Sequence, residues 1–372
     1  MSTRKYREKI EKVLAPTDIR INGDRPWDPQ IYNDDFYPRI LAKGSMGLGE
    51  SYMDGWWEAD RLDEFFHRIL RSGIDSCFHN PSEIFNCLLA KVYNFQKISR
   101  AYQVGEQHYD IGNELYRKML DKRLMYSCGY WKDTASLEEA QKAKIDLIAR
   151  KLDIKPGMKV LDIGCGWGGA ARYIARHYQA EVEGVTISRE QAALAREKCE
   201  GLPVAIRLQD YRKLEGEFDR IFSIGMFEHV GYKNYKIFME TARNLLKEDG
   251  IFLLHTIGGS RSNVRIDPWI NKYIFPNSLL PSPKQITEAI EGRFVIEDWH
   301  NFGADYDTTL MAWYKNFEAA WEELKKDYDE RFYRMWKYYL LCCAGSFRAR
   351  KNQLWQLVLT PKGVISGYQA PR

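Results

Sequence analysis

The stretch VLDIGCGWGG, residues 160–169, reads as a buried strand that runs into a glycine turn and then a helix. Gly164, Gly166 and Gly169 match G-x-G-x-x-G, the spacing of a dinucleotide-binding turn. The neighbouring residues point to a different ligand. Asp162 stands two residues before Gly164, where a carboxylate repels a pyrophosphate and favours an ammonium or sulfonium charge. The next strand ends in VTIS and offers no acid at its tip for a ribose. Glu183 is at a suitable distance along the chain but sits inside that strand, and no P-loop Gly-Lys-Ser occurs. The turn therefore suits S-adenosylmethionine better than NAD.

Outward from this turn, strands and helices alternate. MKVLDIG is the first strand, and AARYIARHY places Ala171, Ile174, Ala175 and Tyr178 on one helical face. EVEGVTIS, VAIRLQD, FDRIFSIG and GIFLLHTIG read as four more strands. REQAALAREKCE and YKIFMETARNLLK read as helices between them, and FVIEDWH and TTLMAWY are expected to close the sheet. Such alternation implies a mainly parallel sheet covered on both faces, an α/β fold. Ser136 with Glu139, and Ser188 with Gln191, fit capping boxes.

Residues 1–95 have another texture: a glycine-rich KGSMGLGESYMDGWW and two expected helices, RLDEFFHRILRSG and PSEIFNCLLAKVYNF. A length of 372 residues suits two domains. We expect a smaller, mainly helical domain over 1–95, a linker over 96–110 and a catalytic domain over 111–372. The net charge of +4 is a weak basic bias, compatible with an anionic membrane surface and far short of a nucleic-acid footprint. The apolar runs are too short to span a bilayer, and the charged start lacks a signal segment. Seven cysteines without a C-x-x-C pair argue for reduced thiols in a cytoplasmic protein, with no zinc site.

Four side chains outside the glycine turn have the chemistry for a reaction. Glu228 in MFEHVG follows the fourth strand and can act as acid, base or orienting group, or simply cap a helix. His255 in FLLHTIG, Cys128 in MYSCGYW and Tyr306 in GADYDTTL are each equally explained by ordinary packing. No Ser-His-Asp arrangement or metal-ligand spacing emerges.

Taken together, EQHYDIGNELY, MYSCGYW, VLDIGCGWGG, GVTISREQ, LQDYR, GMFEHVG, LLHTIG, DPWINKYIFPN, DWHNFGADYDTTLMAWY and CCAGSFRAR resemble the cyclopropane fatty acid synthases. The N-terminal GSMGLGESYMDGWWE is similar to the extra domain of the bacterial phospholipid-modifying members. The resemblance implies a Rossmann-like S-adenosylmethionine-dependent methyltransferase fold. It also implies cofactor contacts at Tyr126, Ser127, Asp162, Gly164, Gly166, Gly168, Thr186, Ser188 and Gln191, with Asp210 and Tyr211 near the adenine. It further implies a bound bicarbonate ion held by Cys128, Glu228, His255, the backbone around Ile257, and Tyr306. Cys343 matches a family cysteine sometimes proposed as a nucleophile, but packing explains it, since the chemistry needs no covalent intermediate.

The implied reaction converts the cis double bond of an unsaturated acyl chain in a membrane phospholipid into a cyclopropane ring. It proceeds by methyl addition, a carbocation and loss of a proton to bicarbonate. Water must be excluded, and aromatic faces stabilise a cation, which gives Tyr126, Tyr130, Trp131 and Trp313 a function beyond packing. The substrate lies in a bilayer, so peripheral docking at the inner face of the membrane is expected. DPWINKYIFPN, through Trp269, Ile270, Tyr273, Phe275 and Lys272, suits either an interfacial lip or a helix packed on the core. For the N-terminal domain, lipid binding or a homodimer contact is left open. Three other readings are a sister enzyme giving a methyl-branched or hydroxylated chain, a small-molecule N-methyltransferase and a non-catalytic lipid sensor. The YSC, FEHVG, LLHTIG and DYDTT blocks favour cyclisation.

Overall fold

The computed structural model describes residues 3–74 and 112–372. The expected helix PSEIFNCLLAKVYNF, the expected linker at 96–110 and the first part of EQHYDIGNELY lie outside the described residues. In chain order the early elements are α1 (Thr3–Leu14), β1 (Gln30–Ile31), α2 (Phe36–Met53), β2 (Trp57–Glu58), α3 (Leu62–Ser72), α4 (Asn113–Met119) and α5 (Leu137–Lys151). The strand–helix alternation follows as β3 (Lys159–Ile163), α6 (Gly169–Tyr178), β4 (Glu181–Thr186), α7 (Arg189–Lys198), β5 (Val204–Leu208), β6 (Phe218–Ile224), α8 (Tyr235–Leu245) and β7 (Leu246–Gly259). The chain ends through α9 (Pro268–Tyr273), α10 (Pro283–Ile290), β8 (Val295–Asn301), α11 (Asp305–Leu324), α12 (Glu330–Arg348) and β9 (Asn352–Thr360).

These elements form two compact units that interleave along the chain. One takes Met1–Tyr93, Val264–Pro276 and Tyr306–Asn352; the other takes Asn94–Asn263, Asn277–Asp305 and Gln353–Arg372.

The second unit holds a seven-stranded sheet in the order β5-β4-β3-β6-β7-β9-β8. Strands β3 to β7 pair in parallel, and β8 and β9 are antiparallel. Both faces are buried. Leu161, Ile163, Ile221, Phe252 and Leu254 pack with Phe238 and Ile286 from α8 and α10, whereas Val160, Phe222, Leu253 and Val358 pack with Ile148 and Ile174 from α5 and α6. Double burial explains why these strands read as continuous apolar runs rather than alternating ones.

Two departures from the expected sheet occur at the C-terminal end. TTLMAWY is helical: Tyr306, Thr309, Leu310, Trp313, Phe317 and Leu324 are the buried residues of α11, and the first five recur at a 3–4 residue period along this 20-residue helix. The sheet is closed instead by β9, NQLWQLVLT, which pairs with FVIEDWH from His300↔Gln356 to Val295↔Thr360.

The first unit is built on rings. Trp57 meets Tyr52 at 5.1 Å and Phe65 at 5.1 Å, and Tyr338 of α12 meets Tyr52, Phe66 and Trp269 at 5.4, 5.0 and 4.5 Å. Arg348 donates to both carboxylate oxygens of Asp307, and to Asp63 and Glu64 at 2.6 Å each. DPWINKYIFPN takes the packed alternative rather than the lip: Trp269 and Ile270 are buried, and Lys272 and Tyr273 both donate to Glu50, at 2.7 and 3.0 Å.

Candidate active site

The parallel register decides which side chains share the carboxyl edge of the sheet. Asp162 of β3 lies opposite Gly184 of β4 and Phe222 of β6, and Ile224 of β6 lies opposite His255 of β7. The strand ends, the glycine turn, the short turn at Phe227–His229 and His255 therefore meet along one edge.

At that edge Gly164 has φ 90°, and a Cβ there would come within 2.8 Å of Met226. The turn thus needs glycine for its backbone and for the loop that carries Glu228. Gly169 serves close packing: a Cβ would lie 2.2 Å from the carbonyl oxygen of Arg123. Asp162 is 2% exposed, and burial pushes its carboxyl up to about 8 against the opposing pull of Lys144.

Along β4 and α7, Ser188 caps the helix by accepting from the Gln191 N–H at 3.3 Å. The capping box stays half-made. The Ser188 N–H goes to Thr186 Oγ1 at 3.2 Å, and Thr186 Oγ1 donates to Gln191 Oε1 at 3.0 Å. The three expected cofactor contacts of this segment are thereby one hydrogen-bonded group. Asp210 is buried and held by Arg212 through its backbone N–H, Nε and Nη2, at 3.0, 2.8 and 2.5 Å. Tyr211 beside it leans edge-on to Phe238 at 5.3 Å, and burial pushes its hydroxyl pKa up.

Glu228 and His255 each combine a fixed atom with an orphaned one. Glu228 is 5% exposed; its Oε1 accepts from the Ile257 N–H at 2.6 Å, and its Oε2 has no partner among the described residues. Burial pushes its carboxyl up to about 7. His255 is 1% exposed and its Nδ1 meets Gln356 Nε2 at 3.2 Å. With the Gln356 amide in this orientation its NH₂ donates to Nδ1, which leaves the ring hydrogen on Nε2. That Nε2 also lacks a partner among the described residues. Burial, aided by Lys144 and Lys151, holds the ring neutral, well below its ordinary value. A buried polar atom without a partner costs free energy, and two at one edge mark a place where a ligand completes the bonding.

The segment 125–130 enters from the side of α5. Cys128 is fully buried and its Sγ donates to the Gly129 carbonyl at 3.1 Å. Tyr126 meets Tyr116 at 5.2 Å, which in turn meets Trp167 of the glycine turn at 4.9 Å. Tyr130 packs on Phe302 at 5.3 Å, and Phe302 packs on His255 at 5.8 Å. Three residues escaped the sequence reading. Gln141 Nε2 donates to the Ser127 carbonyl at 2.7 Å, Lys144 Nζ donates to Ser127 Oγ at 2.7 Å, and Gln356 orients His255. The legible signal for the first two was a polar pair on the face that α5 otherwise buries with Ala140, Ile145 and Ile148.

Tyr306 and Cys343 belong to the first unit. Tyr306 is buried there, stacked on Phe347 at 4.5 Å and edge-on to Trp313 at 6.1 Å. Burial pushes the Cys343 thiol up to about 12, which leaves almost no thiolate near neutrality.

A family model described as mycolic acid cyclopropane synthetase matches residues 96–357. The chain is 56% identical over 362 residues to a cyclopropane-fatty-acyl-phospholipid synthase of Escherichia coli (strain K12), covering 97% of this chain and 94% of that relative. Among solved structures, the cyclopropane synthase MmaA2 from Mycobacterium tuberculosis matches with a TM-score of 0.66 at 31% identity, over 69% of this chain and 97% of that one. Mycolic acid cyclopropane synthase CmaA1, complexed with SAH and CTAB, matches with a TM-score of 0.65 at 32% identity, over 69% and 97%.

Proposed function

The chain belongs to the mycolic acid cyclopropane synthetase family, and we propose that it is an S-adenosylmethionine-dependent cyclopropane synthase acting on the acyl chains of membrane phospholipid. It transfers a methylene group to the double bond of an unsaturated chain. Bound at the glycine turn, S-adenosylmethionine supplies a methyl group on a positively charged sulfur. Asp162 at the strand end, the Thr186–Ser188–Gln191 group and Ser127 are the residues that would hold it, with Asp210 and Tyr211 toward its base.

The observation that carries this chemistry is the pair of orphaned buried atoms, Glu228 Oε2 and His255 Nε2. They suit a small oxyanion. The neutral His255 ring offers a hydrogen at Nε2, and a carboxyl raised to about 7 is half protonated near neutrality and has a hydrogen to share. Bicarbonate held there would supply the base that accepts the proton lost on ring closure. The Ile257 N–H fixes Glu228, Gln356 fixes His255, and Cys128 is the third side chain of the expected set in this unit. Phe302 and Tyr130 beside His255 keep water from the edge, which a cationic reaction requires.

No helix among the described residues is long and apolar enough to cross a membrane. We propose peripheral contact with the inner face of the cytoplasmic membrane, since the acyl chain must leave a bilayer to meet the site. The test is product mass. Purified protein is incubated with S-adenosylmethionine and vesicles of monounsaturated phospholipid. A gain of one CH₂ with loss of the double bond is expected; a methyl branch, an added hydroxyl or no product overturns the reading.

A further inference from the structure

Lys144 has no exposure to solvent and lies in the middle of α5. An ammonium away from water costs several kcal/mol unless its surroundings use the charge. A methionine of similar length would fill the same space without that cost, so packing alone does not account for a lysine here. Its three N–H groups donate and cannot accept. One goes to Ser127 Oγ at 2.7 Å, and one turn earlier Gln141 Nε2 clamps the carbonyls of Ser127 at 2.7 Å and Met125 at 3.4 Å. Because Lys144 can only donate, Ser127 Oγ accepts, and the serine's own hydrogen is forced away from α5.

The charges facing Lys144 are few. Asp121 is committed to the N–H groups of Met125 at 2.8 Å and Arg123 at 3.2 Å. Asp162 stands at the end of β3, beside the glycine turn, and the other titratable neighbours among the described residues are the thiol of Cys128 and the neutral ring of His255. Ser127 also borders the loop of Glu228: a Cβ on Gly225 would stand 3.9 Å from the Ser127 Cβ. The lysine thus lies behind the serine that the proposed function sets against the methyl donor.

We propose that Lys144 is a positioning residue for the methyl donor: by donating to Ser127 Oγ it fixes that hydroxyl as a hydrogen-bond donor toward the carboxylate of S-adenosylmethionine. The inference rests on the reading of Ser127 as a donor contact, and the test separates the two. Dissociation constants for S-adenosylmethionine are measured by calorimetry for the full chain carrying K144M, S127A and both changes, with melting temperatures of the ligand-free proteins. Each single change weakens binding about tenfold, the value of one hydrogen bond to a charged group. The double variant binds no more than about threefold more weakly than S127A, because residues acting through one another are not additive. In steady state, K144M raises the KM for S-adenosylmethionine while kcat at saturation changes less than about threefold. The K144M melting temperature holds or rises, which a merely structural lysine would not allow.

Wild-type affinity in K144M beside a weakened S127A overturns the role of Lys144. So does a double variant whose loss is the product of the two single losses. Unchanged affinity in S127A overturns the Ser127 contact, and with it the route proposed for Lys144. If K144M does not fold, K144Q runs through the same cycle under the same criteria.

Discussion

Glu228 sits on the short turn after β6 and His255 on β7, and burial acts on them in opposite senses. It lifts the carboxyl of Glu228 to about 7 and pulls His255 down, so near neutrality the carboxyl is about half protonated and the ring is neutral. Glu228→Gln keeps an acceptor for the Ile257 N–H but loses the exchangeable proton. Ring formation should fall about 10²-fold or more, with S-adenosylmethionine affinity within threefold, measured by product mass and calorimetry. The same residue predicts a pH dependence of stability. The native state binds the Glu228 proton more tightly than the unfolded chain, whose value is 4.5. The associated stability is therefore full below about pH 4.5 and is lost as pH rises through about 7. E228Q removes that slope: relative to wild type it should gain up to about 3 kcal/mol by pH 8 and nothing near pH 4. Urea unfolding of the ligand-free proteins at the two pH values checks it. Glu228 and His255 were both legible as residues at strand ends. Their orientation was not, since Gln356 reaches His255 from a strand about a hundred residues later.

The elements that position the site differ in how openly the sequence declares them. The glycine turn, α6, α7 and the five parallel strands follow from apolar runs punctuated by capping residues. Strand β9 was hidden because it is buried nearly throughout and follows a helix without a glycine or proline break. TTLMAWY misled because a seven-residue window rich in β-branched and aromatic residues satisfies a strand pattern; only the continuation through Phe317 reveals the helical period. Lys144 and Gln141 lie on the buried face of α5, and that face became visible only once the neighbouring strands were placed. The start of α6 offers a sharp test. Gly169→Ala places a methyl group against the carbonyl oxygen of Arg123, at a spacing that forces one of them to move. Stability should fall by about 1–3 kcal/mol, read by urea unfolding. Ser136→Ala at the start of α5 removes the cap on the Glu139 N–H and should cost about 1 kcal/mol with turnover unchanged.

Across the whole molecule, the two units carry different kinds of stabilisation. The sheet unit rests on two apolar layers, whereas the first unit relies on stacked rings and on Arg348, which gathers Asp63, Glu64 and Asp307. Asp63 is 2% exposed and keeps only Arg61 when Arg348 is lost. Arg348→Met should therefore cost about 2–3 kcal/mol, seen as a lower urea midpoint.

The interleaving of the two units has a consequence for anyone who trims the gene. Residues 306–352 lean on the amino-terminal stretch: Tyr338 rests on Tyr52 and Phe66, and Gly345 abuts the backbone of Asp63. Deleting everything before residue 112 would not release a miniature enzyme. It would strip the greasy back of α12 bare, and we expect the shortened product to aggregate on expression, as a solubility assay of the lysate would reveal.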